Sequence, residues 1–189
     1  MFGVSVGCAV SFSRGENTIP IVVRKCIEFV EKERNIREEG LYRVSGGKTN
    51  IEALKAAFDE EGDAIIEEDA DVHTITGLLK LYFRELPANI LHSPMLKVLH
   101  SHQPEEGEQT VIAQQLVRQI PRANYDTLAA LCDHLFTVSQ HAESNKMTIR
   151  NVVIIFSATL NIPCWLLKIL LLERKSVFPK NIPDNFFAE

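Results

Sequence analysis

The chain has no CxxC pair, no HExxH or Cys/His array, and no run of apolar residues long enough to cross a bilayer. Each absence closes a class of function. Cys8, Cys26, Cys132 and Cys164 are scattered, and at least three fall in apolar helical patterns. Reduced core thiols in a cytosolic protein are expected, with a disulfide pair the less favoured alternative. Histidines 73, 92, 100, 102, 134 and 141 lack metal-ligand spacing, so no metal site is expected. The most apolar runs, 152–156 and 165–172, are interrupted by Ser157, Asn161, Pro163 and Lys168, well short of the roughly 20 residues that a transmembrane helix needs. No charged leader precedes an apolar block, so a cytoplasmic protein is expected. The net charge of −5 leaves no general basic face for nucleic acid or an anionic membrane. Any anion recognition must therefore be local.

What remains is a chain of 189 residues, 46% hydrophobic, enough for one domain with a substantial core. Domain-like patterning begins at Phe2, and a single domain over 1–189, excised from a longer multidomain protein, is expected. Thr18 and Pro20 open a first helix, with Val22, Val23, Cys26, Ile27 and Val30 at helical spacing and an end near Asn35. Thr49 to Glu52 has the form of a capping box, ahead of Ile51, Leu54, Ala57 and Phe58 on one face; Gly62 stops that helix. Asp71 or Thr74 caps the next, which runs to Leu86 before Pro87.

Ser93-Pro94 starts a short helix, and 106–120 gives another on Val111, Ile112, Leu116 and Ile120. Asn124 can cap a long helix with the stripe Leu128, Leu131, Cys132, Leu135 and Val138. Thr148 caps the segment from Ile149 to Leu160, whose Val-Val-Ile-Ile-Phe run suits a buried strand by composition. A helix is expected instead, because no partner strand is available to satisfy its backbone. Pro163 starts a last helix through Arg174, and an extended tail with Pro179 and Pro183 follows. The expectation is an all-α fold of eight or nine helices.

Three places carry residue types suited to chemistry. Arg43 lies in Gly40-Leu41-Tyr42-Arg43-Val44-Ser45-Gly46, a glycine-bracketed loop able to turn tightly and project one side chain. A guanidinium offers a permanently charged planar fork that matches phosphate oxygens. Taken alone, the residue more commonly caps a helix or forms a surface ion pair. On 72–86, Ile75, Leu78, Leu79, Tyr82, Phe83 and Leu86 share one side while His73, Thr76, Lys80 and Arg84 line the other. Lys80 and Arg84 are like charges at i, i+4, with no acidic residue one turn from Lys80, although a solvated face accounts for them equally well. Asn151 is one amide in a helix otherwise apolar nearly all round, where a satisfied core hydrogen bond is commoner than a partner contact.

Together these segments resemble the Rho-type GTPase-activating (RhoGAP) domain family. Gly40 to Gly46 resembles its arginine-finger loop, and Leu78 to Pro87 its second signature. Asn151 to Phe156, followed by Thr159-Leu160, resembles a third, and Phe2-Gly3-Val4 the family's opening segment. The matches keep the family's order and spacing over nearly the whole chain. The resemblance implies a four-helix core and a groove that docks the switch regions of a Rho-, Rac- or Cdc-type small GTPase. By the same resemblance Arg43 matches the finger inserted beside the nucleotide, Lys80 and Arg84 match basic residues that support docking and the finger loop, and Asn151 matches an asparagine that contacts the GTPase. The family commonly has proline where Ala158 stands, which puts the end of that helix and the groove it borders in question.

The domain implied is an activator rather than an enzyme. It acts as a monomer with no cofactor of its own, the GTP and magnesium belonging to the partner, and any membrane recruitment would come from domains outside this segment. The nearest alternative is a module that binds a GTPase or another signalling protein without accelerating hydrolysis. A P-loop hydrolase, prompted by Gly46-Gly47-Lys48-Thr49, fails because its first glycine would fall at Tyr42 and no buried strand precedes the loop.

Overall fold

Short polar and imino-acid signals set where the helices begin, and apolar stripes set how they pack. The computed structural model describes residues 1–11, 18–180, 182 and 186–187. Its elements are α1 (Val6–Ser11), α2 (Ile21–Val30), α3 (Glu33–Ile36), α4 (Lys48–Glu61), α5 (Val72–Arg84), α6 (Leu96–Ser101), α7 (Glu106–Arg118), α8 (Arg122–Gln140), α9 (Ala142–Asn145), α10 (Ile149–Leu160), α11 (Cys164–Leu172) and α12 (Arg174–Val177). No strand occurs among the described residues, and 149–160 is helical, as the lack of a partner strand required. The helices beyond eight or nine are short pieces such as α3, α9 and α12, each of four residues.

Four helices form the centre: α2 packs on α5, α5 on α10, α10 on α8, and α8 back on α2. The predicted stripes of α2, α5 and α8 face this centre, Ile27 of α2 only partly. Val22, Val23, Cys26 and Val30 of α2, and Leu128, Leu131, Cys132, Leu135 and Val138 of α8, are fully buried. Burying each Val or Leu side chain contributes about 1.5 to 3 kcal/mol. Ile75, Leu78 and Leu79 of α5 meet them from one side, and Val152 and Phe156 of α10 from another. Outside this bundle, α4 lies on α5, and α11 bridges α7, α8 and α10. No single helix among the described residues is long and apolar enough to cross a membrane, and α10 and α11 meet at a 119° bend.

Several local expectations hold. Asp71 is the N-cap of α5, accepting from the N–H groups of His73 at 3.2 Å and Thr74 at 2.9 Å. Thr148 caps α10 through Asn151 N–H at 3.3 Å, and Gly62 closes α4 in the left-handed conformation at φ 74°. Others are corrected. The capping box at Thr49 does not form, because α4 starts two residues earlier, at Lys48 with Gly47 as N-cap, which puts Thr49 inside the helix. Asn124 sits inside α8, whose N-cap is Pro121; its amide instead donates to Ile90 O at 2.8 Å, pinning a loop to the helix.

The first helix ends at Val30 and a separate turn, α3, carries the chain past Asn35, while the last predicted helix breaks at Glu173. α5 stops at Arg84 rather than Leu86, and α1 had no sequence expectation. Val111 is exposed, its place in the core taken by Ala113 and Val117 of the same helix. Only Cys26 and Cys132 are core thiols, with Cys8 and Cys164 exposed, and all four are free. Of the predicted tail, Pro183 lies outside the described residues.

Candidate functional site

Between α3 and α4 the chain makes a tight loop whose base is built from buried polar groups. Gly40 N–H donates to Asn145 O at 2.8 Å, and the N–H groups of Arg43 and Val44 both donate to Gly40 O, at 2.9 and 2.8 Å. Asn145 is fully buried, and its amide donates to Ile36 O and Val138 O at 2.9 Å each. One asparagine thus ties α3, the end of α8 and the loop together.

Two backbone constraints shape the turn. Gly40 adopts φ 77°, where a side chain would be strained and its Cβ would also lie 2.7 Å from Val44 Cγ2. Gly46 is required by proximity: a Cβ there would sit 2.4 Å from the backbone nitrogen of Thr74 in the first turn of α5. The loop is therefore pressed onto the first turn of α5, and Thr76, placed by periodicity on a polar face, is fully buried. Tyr42 is the loop's non-glycine residue in the left-handed region, at φ 64°.

The Tyr42 ring fills the space beneath the loop, edge-on to Phe156 of α10 at 4.8 Å between centroids. Its hydroxyl lies 2.5 Å from His134 Nε2, and His134 Nδ1 lies 2.8 Å from Glu31 Oε1. Burial, reinforced by Cys26 and Glu31, holds the phenol well above its ordinary pKa, so it stays protonated. Arg43 itself points outward, its side chain 57% exposed, with its guanidinium 4.0 Å from Glu39. A surface pair at that distance is weak, so the guanidinium remains free to turn to another anion.

Lys80 departs from a freely solvated lysine. It is half-buried on α5, and its ammonium donates to the backbone carbonyl of Tyr42. Burial first, then the charge of Arg84, lowers its pKa from the ordinary value. Arg84, one turn on, is exposed and lines an open groove of about 440 Å³ with Phe83, Asn89, Ala158, Thr159 and Asn161. Ala158 leaves α10 helical through Leu160, so the groove is bordered by an intact final turn.

Asn151 is likewise not the buried core amide expected from the apolar run. It stands half-exposed in the first turn of α10 and donates to Lys146 O at 2.9 Å. Ile154, three residues on, is 55% exposed, and Ala158 is exposed too. Spacings of three and seven place all three on one stripe of the helix, about 10 Å long. With Val44 exposed beside Arg43, the loop and α10 present apolar surface flanked by a guanidinium and an amide.

The geometry thus links Arg43 to Lys80 through Tyr42, and Arg84 to α10 through the shared groove. Sequence reasoning missed His134 and Asn145. His134 falls on the apolar stripe of α8, between Leu131 and Leu135, and a polar residue at such a position signals a buried partner. Asn145 carries no comparable signal. Among the described residues, no group of three or more His, Cys, Asp or Glu is placed to hold a metal ion.

The RhoGAP domain family model matches residues 20–164. The chain is 37% identical over 185 residues to the Probable Rho-type GTPase-activating protein 2 of Schizosaccharomyces pombe, covering 94% of this chain and 14% of that protein. It is 37% identical over 165 residues to Rho GTPase-activating protein 27 of Mus musculus, covering 82% and 18%. With the Breakpoint cluster region protein of Homo sapiens it shares 35% over 187 residues, covering 96% and 14%. The chain therefore spans less than a fifth of the length of these relatives. Its fold superposes on human Rho GTPase activating protein 15 with a TM-score of 0.81 at 27% identity, covering 94% of this chain and 91% of that one.

Proposed function

Because this chain belongs to the RhoGAP domain family, we propose that it binds a Rho-, Rac- or Cdc-type small GTPase in its GTP state and accelerates hydrolysis by inserting Arg43 beside the nucleotide. The observation that carries this reading is an exposed guanidinium on a loop whose preceding residue, Tyr42, is fixed both at its ring and at its carbonyl. Hydrolysis develops negative charge on the β-γ bridging and γ-phosphate oxygens. A cation delivered there by a second protein stabilises the transition state more than the ground state. Arg43 transfers no proton, since a guanidinium stays ionised. The attacking water, GTP and magnesium belong to the partner, so the domain is an activator and not itself a hydrolase.

Docking is assigned to the exposed stripe of α10, with Asn151 and Ile154, together with Val44 and Arg84. An apolar strip with a few polar groups suits a protein surface whose switch loops are ordered by a γ-phosphate. The overall charge of −5 leaves attraction to the partner to local groups such as Arg43 and Arg84.

The test is hydrolysis of GTP by a panel of purified Rho-family GTPases with and without the domain. Stimulation of at least one member, lost with Arg43→Ala, is expected. Binding without stimulation across the panel would instead establish a passive module.

A further inference from the structure

We infer that Glu31, His134 and Tyr42 form a positioning relay, running from the surface into the core, that sets where Arg43 stands. This rests on the proposed role of Arg43 as the residue that meets the nucleotide.

Tyr42 is a bulky residue in the left-handed region, φ 64°, a conformation that persists only where its surroundings enforce it. They do so from two ends. At the backbone, the Lys80 ammonium takes the Tyr42 carbonyl. At the ring, the hydroxyl reaches His134 Nε2 at 2.5 Å across 92 residues of sequence. Glu31 Oε1 lies 2.8 Å from His134 Nδ1, and a carboxylate there accepts, so Nδ1 carries a hydrogen, and in the neutral ring this leaves Nε2 to accept the Tyr42 O–H.

The tyrosine hydroxyl therefore has one defined acceptor, and that acceptor is oriented by a third group. Tyr42 and His134 are each 1% exposed, whereas the Glu31 side chain is 38% exposed at the end of α2. A leucine could fill the place of His134 on the stripe of α8. What a leucine could not do is fix the rotation and depth of the Tyr42 ring, and Arg43 is the next residue along the chain. His134 and Glu31 touch neither partner nor nucleotide in this scheme. They act through Tyr42.

The test uses single-turnover GTP hydrolysis with saturating domain on a responsive Rho-family GTPase, which separates maximal rate from affinity. Tyr42→Phe keeps the ring and its edge contact with Phe156 and removes only the hydroxyl. The expected result is a maximal rate lowered about tenfold, affinity within about twofold of the unsubstituted domain, and no further loss when the change is added to Arg43→Ala. Glu31→Ala, at the exposed end of the relay, is expected to lower the rate about threefold in the same pattern. Glu31→Gln, whose amide oxygen still accepts from Nδ1–H, should recover most of that loss.

A second readout needs no GTPase. The Arg43 and Val44 N–H groups both donate to Gly40 O, and their hydrogen exchange in the free domain should quicken in Tyr42→Phe and Glu31→Ala. A full rate in Tyr42→Phe, an equal loss in the Arg43→Ala background, or unchanged exchange at both amides would overturn the inference. If the unsubstituted domain stimulates no GTPase, the proposed function fails, and hydrogen exchange alone decides this one.

Discussion

Lys80, from the middle of α5, donates its ammonium to the backbone carbonyl of Tyr42, the residue immediately before Arg43. The bond gives a half-buried charge a partner and gives the arginine loop a fixed point on the helix against which it is pressed. Removing the lysine is therefore a change to the loop as well as to a surface charge. Lys80→Ala is expected to lower the maximal stimulated rate about tenfold or more and to weaken GTPase affinity. Thermal unfolding should report a loss of about 1 to 3 kcal/mol, because Tyr42 is buried and its carbonyl loses the ammonium that partners it. A variant that lost affinity at an unchanged maximal rate would make Lys80 a docking charge only.

Arg43→Ala should remove most of the acceleration, on the order of 10³-fold, while the fold and the affinity for the GTP-bound partner are largely kept. The side chain is exposed in the free domain and makes one weak contact, with Glu39, so nothing in the core depends on it. Calorimetry across nucleotide states checks the origin of the loss. GDP with a planar fluoride mimic of the γ-phosphate should bind more tightly than GTP, and GTP more tightly than GDP. The first increment should vanish in Arg43→Ala and the second should survive.

The exposed stripe of α10 gives a separable prediction. Ile154→Asp places a charge in the proposed apolar contact and should weaken GTPase affinity at least tenfold or so, as desolvating an unpaired carboxylate does. Asn151→Ala should weaken it less. Neither change should lower the unfolding free energy by more than about 1 kcal/mol, since both positions are solvent-accessible in the free domain. Titration calorimetry alongside thermal unfolding distinguishes these outcomes, and unchanged affinity in both variants would move the interface elsewhere.

Gly46→Ala tests the seating of the loop on α5. The added Cβ would meet the Thr74 backbone at 2.4 Å, and neither backbone is free to withdraw. A loss of about 1 to 3 kcal/mol in chemical denaturation is expected, together with reduced stimulation, because the displaced loop carries Arg43. Gly107→Ala, with open space around its Cβ, serves as the control and should be neutral or slightly stabilising.

The cap of α5 should show in the acid limb of stability. Burial pushes the Asp71 carboxyl up, but bonds from the Thr74 hydroxyl and from the His73 and Thr74 amides outweigh it, and its pKa ends below the ordinary value. A carboxylate with a depressed folded pKa contributes fully above its unfolded value of about 3.9 and loses that contribution as pH falls through the folded one. Asp71→Ala should therefore cost about 1 kcal/mol near neutrality, shrinking as pH drops below about 4. Denaturation midpoints of both proteins across that range provide the measurement. A cost that did not change with pH would mean that the cap acts through shape alone.

The helical class, the stripes of α2, α5 and α8, the caps at Asp71 and Thr148 and the stop at Gly62 were legible in the amino-acid order. Each depends on residues within one or two turns of one another, where i, i+3 and i+4 geometry and a single side chain settle the outcome. A tight loop that projects the Arg43 side chain was legible too, through the glycines around it. Tertiary structure decided what fixes it. That Tyr42 and not a second glycine takes the left-handed position, that Lys80 bonds to its carbonyl from 38 residues away, and that His134 holds its hydroxyl from 92 all require three helices to be packed first. Asn151 and Thr76 exchanged their expected burial for the same reason. One side of α10 around Asn151 is left uncovered, while the polar side of α5 at Thr76 is packed over, and no local pattern records which face a neighbour will cover.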